Sequence, residues 1–111
     1  FTITCHRFCE SIKDEEKATR DIEQLLWYSN LISAKVARAL SEKYEFPVDE
    51  LMEKQATISA RIVLRSLRFC EDALENIFKK RVGATDEVKD LLIYAGRLTE
   101  KIKNEFFRQK R

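Results

Sequence analysis

Residues 59–78 read Ser59-Ala60-Arg61-Ile62-Val63-Leu64-Arg65-Ser66-Leu67-Arg68-Phe69-Cys70-Glu71-Asp72-Ala73-Leu74-Glu75-Asn76-Ile77-Phe78. Val63, Leu67, Cys70, Ala73, Leu74, Ile77 and Phe78 recur at intervals of mostly three and four. At about 100° per residue they share one face of an α-helix. Upstream, Val48, Met52 and Ala56 continue the same stripe. Nothing interrupts it between the single Pro, Pro47, and Gly83, so the pattern predicts a helix over roughly 47–82. At about 1.5 Å per residue that helix is roughly 50 Å long. Pro is accepted at a first helical position and disfavours helix in the residue before it, so Phe46-Pro47 closes one helix and opens the next. Asp49 and Glu50 follow in the first turn, where acids suit the macrodipole. Gly83 is expected at C′, after Lys79, Lys80 and Arg81.

The same period extends outward on both sides. A helix over roughly 14–45 carries Ala18, Ile22, Leu25, Leu26, Ile32, Val36, Ala39 and Leu40 on one stripe. One over roughly 86–108 carries Val88, Leu91, Leu92, Ala95, Leu98, Ile102 and Phe106, with Thr85 or Asp86 as its cap. A shorter amphipathic piece, roughly 3–12, presents Phe1, Cys5, Phe8, Cys9 and Ile12. Ser11 or Asp14 could cap a break after it, or it could run on into the next helix. Connections as short as those at Pro47 and Gly83 make neighbours antiparallel. The expected fold is all-α: an antiparallel up-down bundle of three long helices plus a short N-terminal one, in a single domain over 1–111.

Composition agrees. A chain of 111 residues fits one domain with a core of its own. Two Gly and one Pro are too few for the turns of an all-β fold. The 44% apolar content argues against disorder. No apolar run approaches the ~18 residues of a membrane span. The N-terminus, Phe1-Thr2-Ile3-Thr4, lacks Met and the layout of a signal peptide, and reads as the start of a fragment or a processed chain. Three Cys cannot pair completely, which fits a reducing, intracellular compartment, cytoplasmic or nuclear. The net charge of +2 hides an asymmetry. Residues 97–111 hold six bases against two acids, a local +4, so the remainder is −2.

Little points to catalysis. The sole histidine, His6, sits in Cys5-His6-Arg7-Phe8-Cys9, so no Ser-His-Asp or Cys-His-Asn set is assignable. There is no Glu-x-x-His pair for a di-metal bundle and no glycine-rich phosphate loop. Cys5 and Cys9 share a helical face and Cys70 could approach them, giving with His6 a tetrahedral zinc set. The spacing is poor for zinc, and His6 points about 100° away from Cys5. Three buried apolar residues are the plainer reading of the cysteines. No cofactor and no small-molecule substrate are expected, and an enzyme is not.

What remains are faces. Trp27 and Leu31 lie roughly opposite the core side of their helix, so its middle is apolar nearly all round and must be covered on both sides. On the 47–82 helix, Leu51, Ile58, Ile62 and Phe69 widen the stripe at one flank, and Ile93 and Phe107 lie off-stripe on the last helix. The leading expectation is therefore a non-enzymatic helical interaction or assembly module. It would self-associate, or bind a protein partner, through Trp27, Leu31, Ile58 and Phe69. The alternative is a small nucleic-acid-binding bundle. Arg61, Arg65 and Arg68 form a row at i, i+4 and i+7, extended by Lys54 and Lys79 and interrupted by Asp72. Arg108, Lys110 and Arg111 would add a basic tail. Against it, acids accompany the bases on every helix, and Arg65 and Arg68 have Asp72 and Glu71 at pairing distance along the helix.

Overall fold

The apolar stripes become four α-helices in a computed structural model that describes residues 1–44 and 50–107. Helix α1 spans Thr2–Ser11, α2 Thr19–Tyr44, α3 Glu50–Lys79 and α4 Thr85–Phe106; a 3₁₀ turn at Glu16–Ala18 leads into α2. The described residues contain no strand. One core cluster draws on every helix: Cys5, Phe8 and Cys9 from α1, Ile22, Leu25 and Ile32 from α2, Val63, Leu67, Cys70, Leu74 and Ile77 from α3, Val88, Leu91, Ala95 and Ile102 from α4.

Helices α2 and α3 form the main antiparallel pair, clasped at both ends by a buried carboxylate. At one end Asp21 accepts from Lys80 Nζ at 2.7 Å and Asn76 Nδ2 at 3.3 Å. At the other, Glu42 accepts from Ser59 Oγ at 2.9 Å and Arg38 Nε at 3.2 Å. Both acids are almost fully buried and fully satisfied, as a buried charge must be. Pairing 21 with 76 and 80 and 42 with 59 sets the register. Helix α4 packs on α3 and reaches α2 at the far end, where Lys43 meets Glu105 at 3.2 Å and Tyr44 donates to the same carboxylate.

Helix α1 folds back along α2 rather than continuing into it. Ile12 turns to the Cys9 carbonyl, and Glu15 is extended. Residues 13–17 carry only charged side chains, so no apolar group could seat a helix there on either neighbour, and α2 begins at Thr19 rather than near 14. Thr2 Oγ1 donates to the Ser29 carbonyl at 2.8 Å, and His6 Nε2 bonds Asn30 Oδ1 at 2.8 Å. At ten residues, α1 covers only the first half of this flank. Leu40, expected in the core stripe, lies beyond its reach and is exposed, and so is Phe78 at the outer edge of α3.

The α3–α4 corner departs from the sequence expectation. Val82 N–H bonds the Ile77 carbonyl at 3.2 Å and Arg81 N–H the Phe78 carbonyl at 3.1 Å. That is a Schellman arrangement with Arg81, not Gly83, at C′ and at φ 55°. Its hydrophobic contact is Val82 with Ile77, both buried. The helix therefore ends at Lys79 rather than 82. Gly83 serves close packing instead, since at φ 74° it lets the chain pass under α1. A Cβ there would stand 2.9 Å from Ile12 Cγ2 and 3.0 Å from Phe8 Cε1. Ala84 takes the N-cap of α4 with no side-chain bond, because Thr85 and Asp86 already lie in the first turn. Asp86 and Glu87 serve the helix dipole there. The expected junction at Phe46-Pro47, with Val48 and Asp49, lies outside the described residues, as does the end of the basic tail.

Candidate protein-interaction face

Trp27, Leu31, Ile58 and Phe69 all lie on the outer side of the α2–α3 pair. The register explains why. Gln24 Nε2 donates to the Phe69 carbonyl at 2.8 Å, and the Tyr28 and Phe69 rings stack with centroids 4.5 Å apart. Trp27 is next to Tyr28 in sequence and about 100° further from the core, and Leu31 is one turn on. On α3, Phe69, Ile62, Ile58 and Leu51 follow one another at helical spacing toward the other end. An apolar band thus runs obliquely across both helices. Trp27 is 69% exposed, Leu51 64%, Ile58 49% and Phe69 37%; Leu31 and Ile62 are half-buried. Helix α1 sits on the opposite flank of α2 and covers none of these.

The size of the band matters. Taking ~200 Å² for a fully exposed large side chain, the four exposed residues leave roughly 450 Å² of side chain in water. That lies within the ~300–600 Å² of the largest apolar patch on a typical monomer, which is often functional. It also matches the apolar share, slightly over half, of the ~800 Å² each partner contributes to a standard interface.

Beside the band runs the arginine row. Arg61, Arg65 and Arg68 are exposed, and among the described residues none of them forms an ion pair. The helical pairing of Arg65 and Arg68 with Asp72 and Glu71 is not made within 4.0 Å. Glu71 is pushed up from its ordinary carboxyl value chiefly by partial burial, then by Glu75 and Asp72, while Arg68 and Lys103 pull it the other way. Lys54 is neutralised by Glu50 at 3.4 Å. Arg108, Lys110 and Arg111 lie outside the described residues.

The cysteines behave as core. Cys5, Cys9 and Cys70 are free and buried. Burial pushes the Cys9 thiol up to about 11 and the Cys70 thiol up to about 12. Cys5 is raised further, by burial first and then by the proximity of Cys70 and Cys9. The three thiols are therefore neighbours, as their sequence positions allow. They do not form a zinc set with His6, because among the described residues no group of three or more His, Cys, Asp or Glu is arranged to hold a metal. His6 is turned outward to Asn30. A hollow of about 430 Å³ at the end of the bundle is lined by Glu42, Lys43, Tyr44, Met52, Glu53, Ala56, Thr57 and Phe106. Its Glu42 is engaged with Ser59 and Arg38, and its Lys43 and Tyr44 with Glu105. No described helix is long and apolar enough to cross a membrane.

No protein-family model matches the chain, and neither a curated protein nor a solved structure matches it.

Proposed function

We propose that this chain is a non-enzymatic helical interaction and assembly module that self-associates through the outer α2–α3 face. The observation that carries the reading is the 69% exposure of Trp27 on an apolar band that no other described helix covers. Trp is the residue type most often found as an interface anchor, and a band of this area matches one interface core. Light scattering tests the reading. The 13.1 kDa chain is expected to show a mass that rises with concentration toward twice the monomer value. Trp27→Glu is expected to remain monomeric with an unchanged melting temperature, because Trp27 supports no part of the core. A strict monomer at all concentrations, indifferent to Trp27→Glu, would sink the proposal.

The row of Arg61, Arg65 and Arg68, exposed and without ion pairs among the described residues, supports a second reading, nucleic-acid binding. It requires salt-dependent affinity for an oligonucleotide that is lost in the triple Ala variant.

A further inference from the structure

The apolar band and the arginine row are adjacent stripes of one surface, and their chemistry together specifies a ligand. On α3, Arg61, Arg65 and Arg68 stand one helical step outward from Ile58, Ile62 and Phe69. On α2, Lys35 lies one turn on from Leu31 toward α3 and Arg38 continues the Trp27–Leu31 line, while Glu23 stands one turn before Trp27. Among the described residues, only Arg38 of these five bases has a carboxylate partner, the buried Glu42. Asp72 is the acid that interrupts the row. The surface is thus an apolar floor with one basic rim, the arginine row on α3.

Resting on the reading that this face is an interface, we infer that its preferred occupant is an acidic amphipathic helix of another protein, which displaces a second copy of this chain. Two arguments lead there. A two-fold pair buries the same patch against itself, so a net positive surface meets a net positive surface, and like charges at an interface oppose association. Self-association is therefore weak and strengthened by salt. A helix with Leu at i, i+3, i+4 and i+7 supplies the apolar stripe that a groove between two helices receives, and Glu on its flanks meets the arginine forks. Nucleic acid fits less well: it has no group for exposed Leu51 and Ile58, and Asp72 sits within the phosphate track.

The test uses the whole chain and its single tryptophan. An 18-residue blocked peptide with that Leu spacing and Glu at the remaining positions is titrated while Trp27 emission and scattered mass are followed. The expected result is a shift of Trp27 emission to shorter wavelength, loss of the self-associated species, and affinity that falls as salt rises. Changing Arg61, Arg65 and Arg68 together to Gln, at exposed positions that leave folding intact, is expected to weaken peptide binding about tenfold. The same variant is expected to self-associate more tightly than the parent. Equal binding of the matching Lys-rich peptide, or binding of a single-stranded oligonucleotide in place of the Glu-rich peptide, overturns the inference. If the chain self-associates through Trp27 but ignores the Glu-rich peptide, the inference falls and the interface reading stands. If neither happens, both fall.

Discussion

Raising the pH above about 9 is expected to destabilise this protein steeply, with the three core thiols as a main cause. In the unfolded chain each thiol ionises near pH 9, whereas in the fold Cys9 holds its proton to about 11, Cys70 to about 12 and Cys5 higher still. In the intervening window the unfolded state binds fewer protons than the folded one, so stability falls as pH rises. One proton difference is worth about 1.4 kcal/mol per pH unit, so three thiols give roughly 4 kcal/mol per unit between about pH 9.5 and 11. Over that window the loss is roughly 6 kcal/mol, enough to unfold a domain at the lower end of the ordinary ~5–15 kcal/mol range. Below pH 8 all three thiols are protonated in both states and contribute no slope. Urea midpoints measured from pH 8 to 10.5 would show the fall. Cys9→Ala separates the thiols from Lys and Tyr residues that also titrate there, and is expected to remove about a third of the slope. An unchanged slope, or rapid labelling of the folded thiols at pH 8, contradicts the burial that the fold assigns to α1.

The second large effect is expected at Gly83. Gly83→Val should destabilise the fold by about 3 kcal/mol, since a β-branched residue is a true outlier at positive φ and its side chain enters space held by Ile12 and Phe8. The neighbouring Arg81→Gly should do the opposite. Arg81 is a side-chain-bearing residue at φ 55°, so Gly relieves backbone strain there and stabilises by up to about 1 kcal/mol. Equilibrium denaturation of both variants checks the pair. Opposite signs at positions two residues apart would establish that the corner is governed by backbone conformation and by the seat of α1. A neutral Gly83→Val would show that α1 does not pack on Gly83, and a destabilising Arg81→Gly would show that the left-handed turn is not strained.

Much of this fold was legible in the sequence, because burial on one helical face imposes a period that needs no partner to be read. Val63, Leu67, Cys70, Leu74 and Ile77 all reach the core, as their spacing indicates. The exceptions are residues whose burial depends on another element. Leu40 belongs to the α2 stripe but lies beyond the end of α1, and no pattern within α2 could reveal how far α1 extends. Phe78 likewise falls at the margin of the α4 contact. The helix end at Lys79 was obscured because a glycine usually marks C′, whereas here Arg81 takes the left-handed turn and Gly83 is reserved for close packing. The break before α2 was marked by Ser11 and Asp14 as possible caps and also by the charged run from Lys13 to Lys17.

For the site, the sequence showed the second apolar face but not its geometry. Trp27 and Phe69 are far apart in the chain, and only the antiparallel register, with Gln24 on the Phe69 carbonyl and Tyr28 on its ring, joins them into one band. The adjacency of that band to the arginine row follows from the helical spacing of α3 alone. The buried acids that set it, Asp21 and Glu42, carried no sequence signal, since each looks like an ordinary surface charge until its partner helix is in place.

The central claim is that the outer α2–α3 face is covered in the working protein. The emission and acrylamide quenching of Trp27, the sole tryptophan, test it most directly when followed from micromolar to millimolar chain. The expected result is water-like emission at the lowest concentration, moving to shorter wavelength with falling quenching as the chain concentrates, and moving further when the Glu-rich peptide is added. Water-like emission and full quenching at every concentration, with and without the peptide, would contradict it.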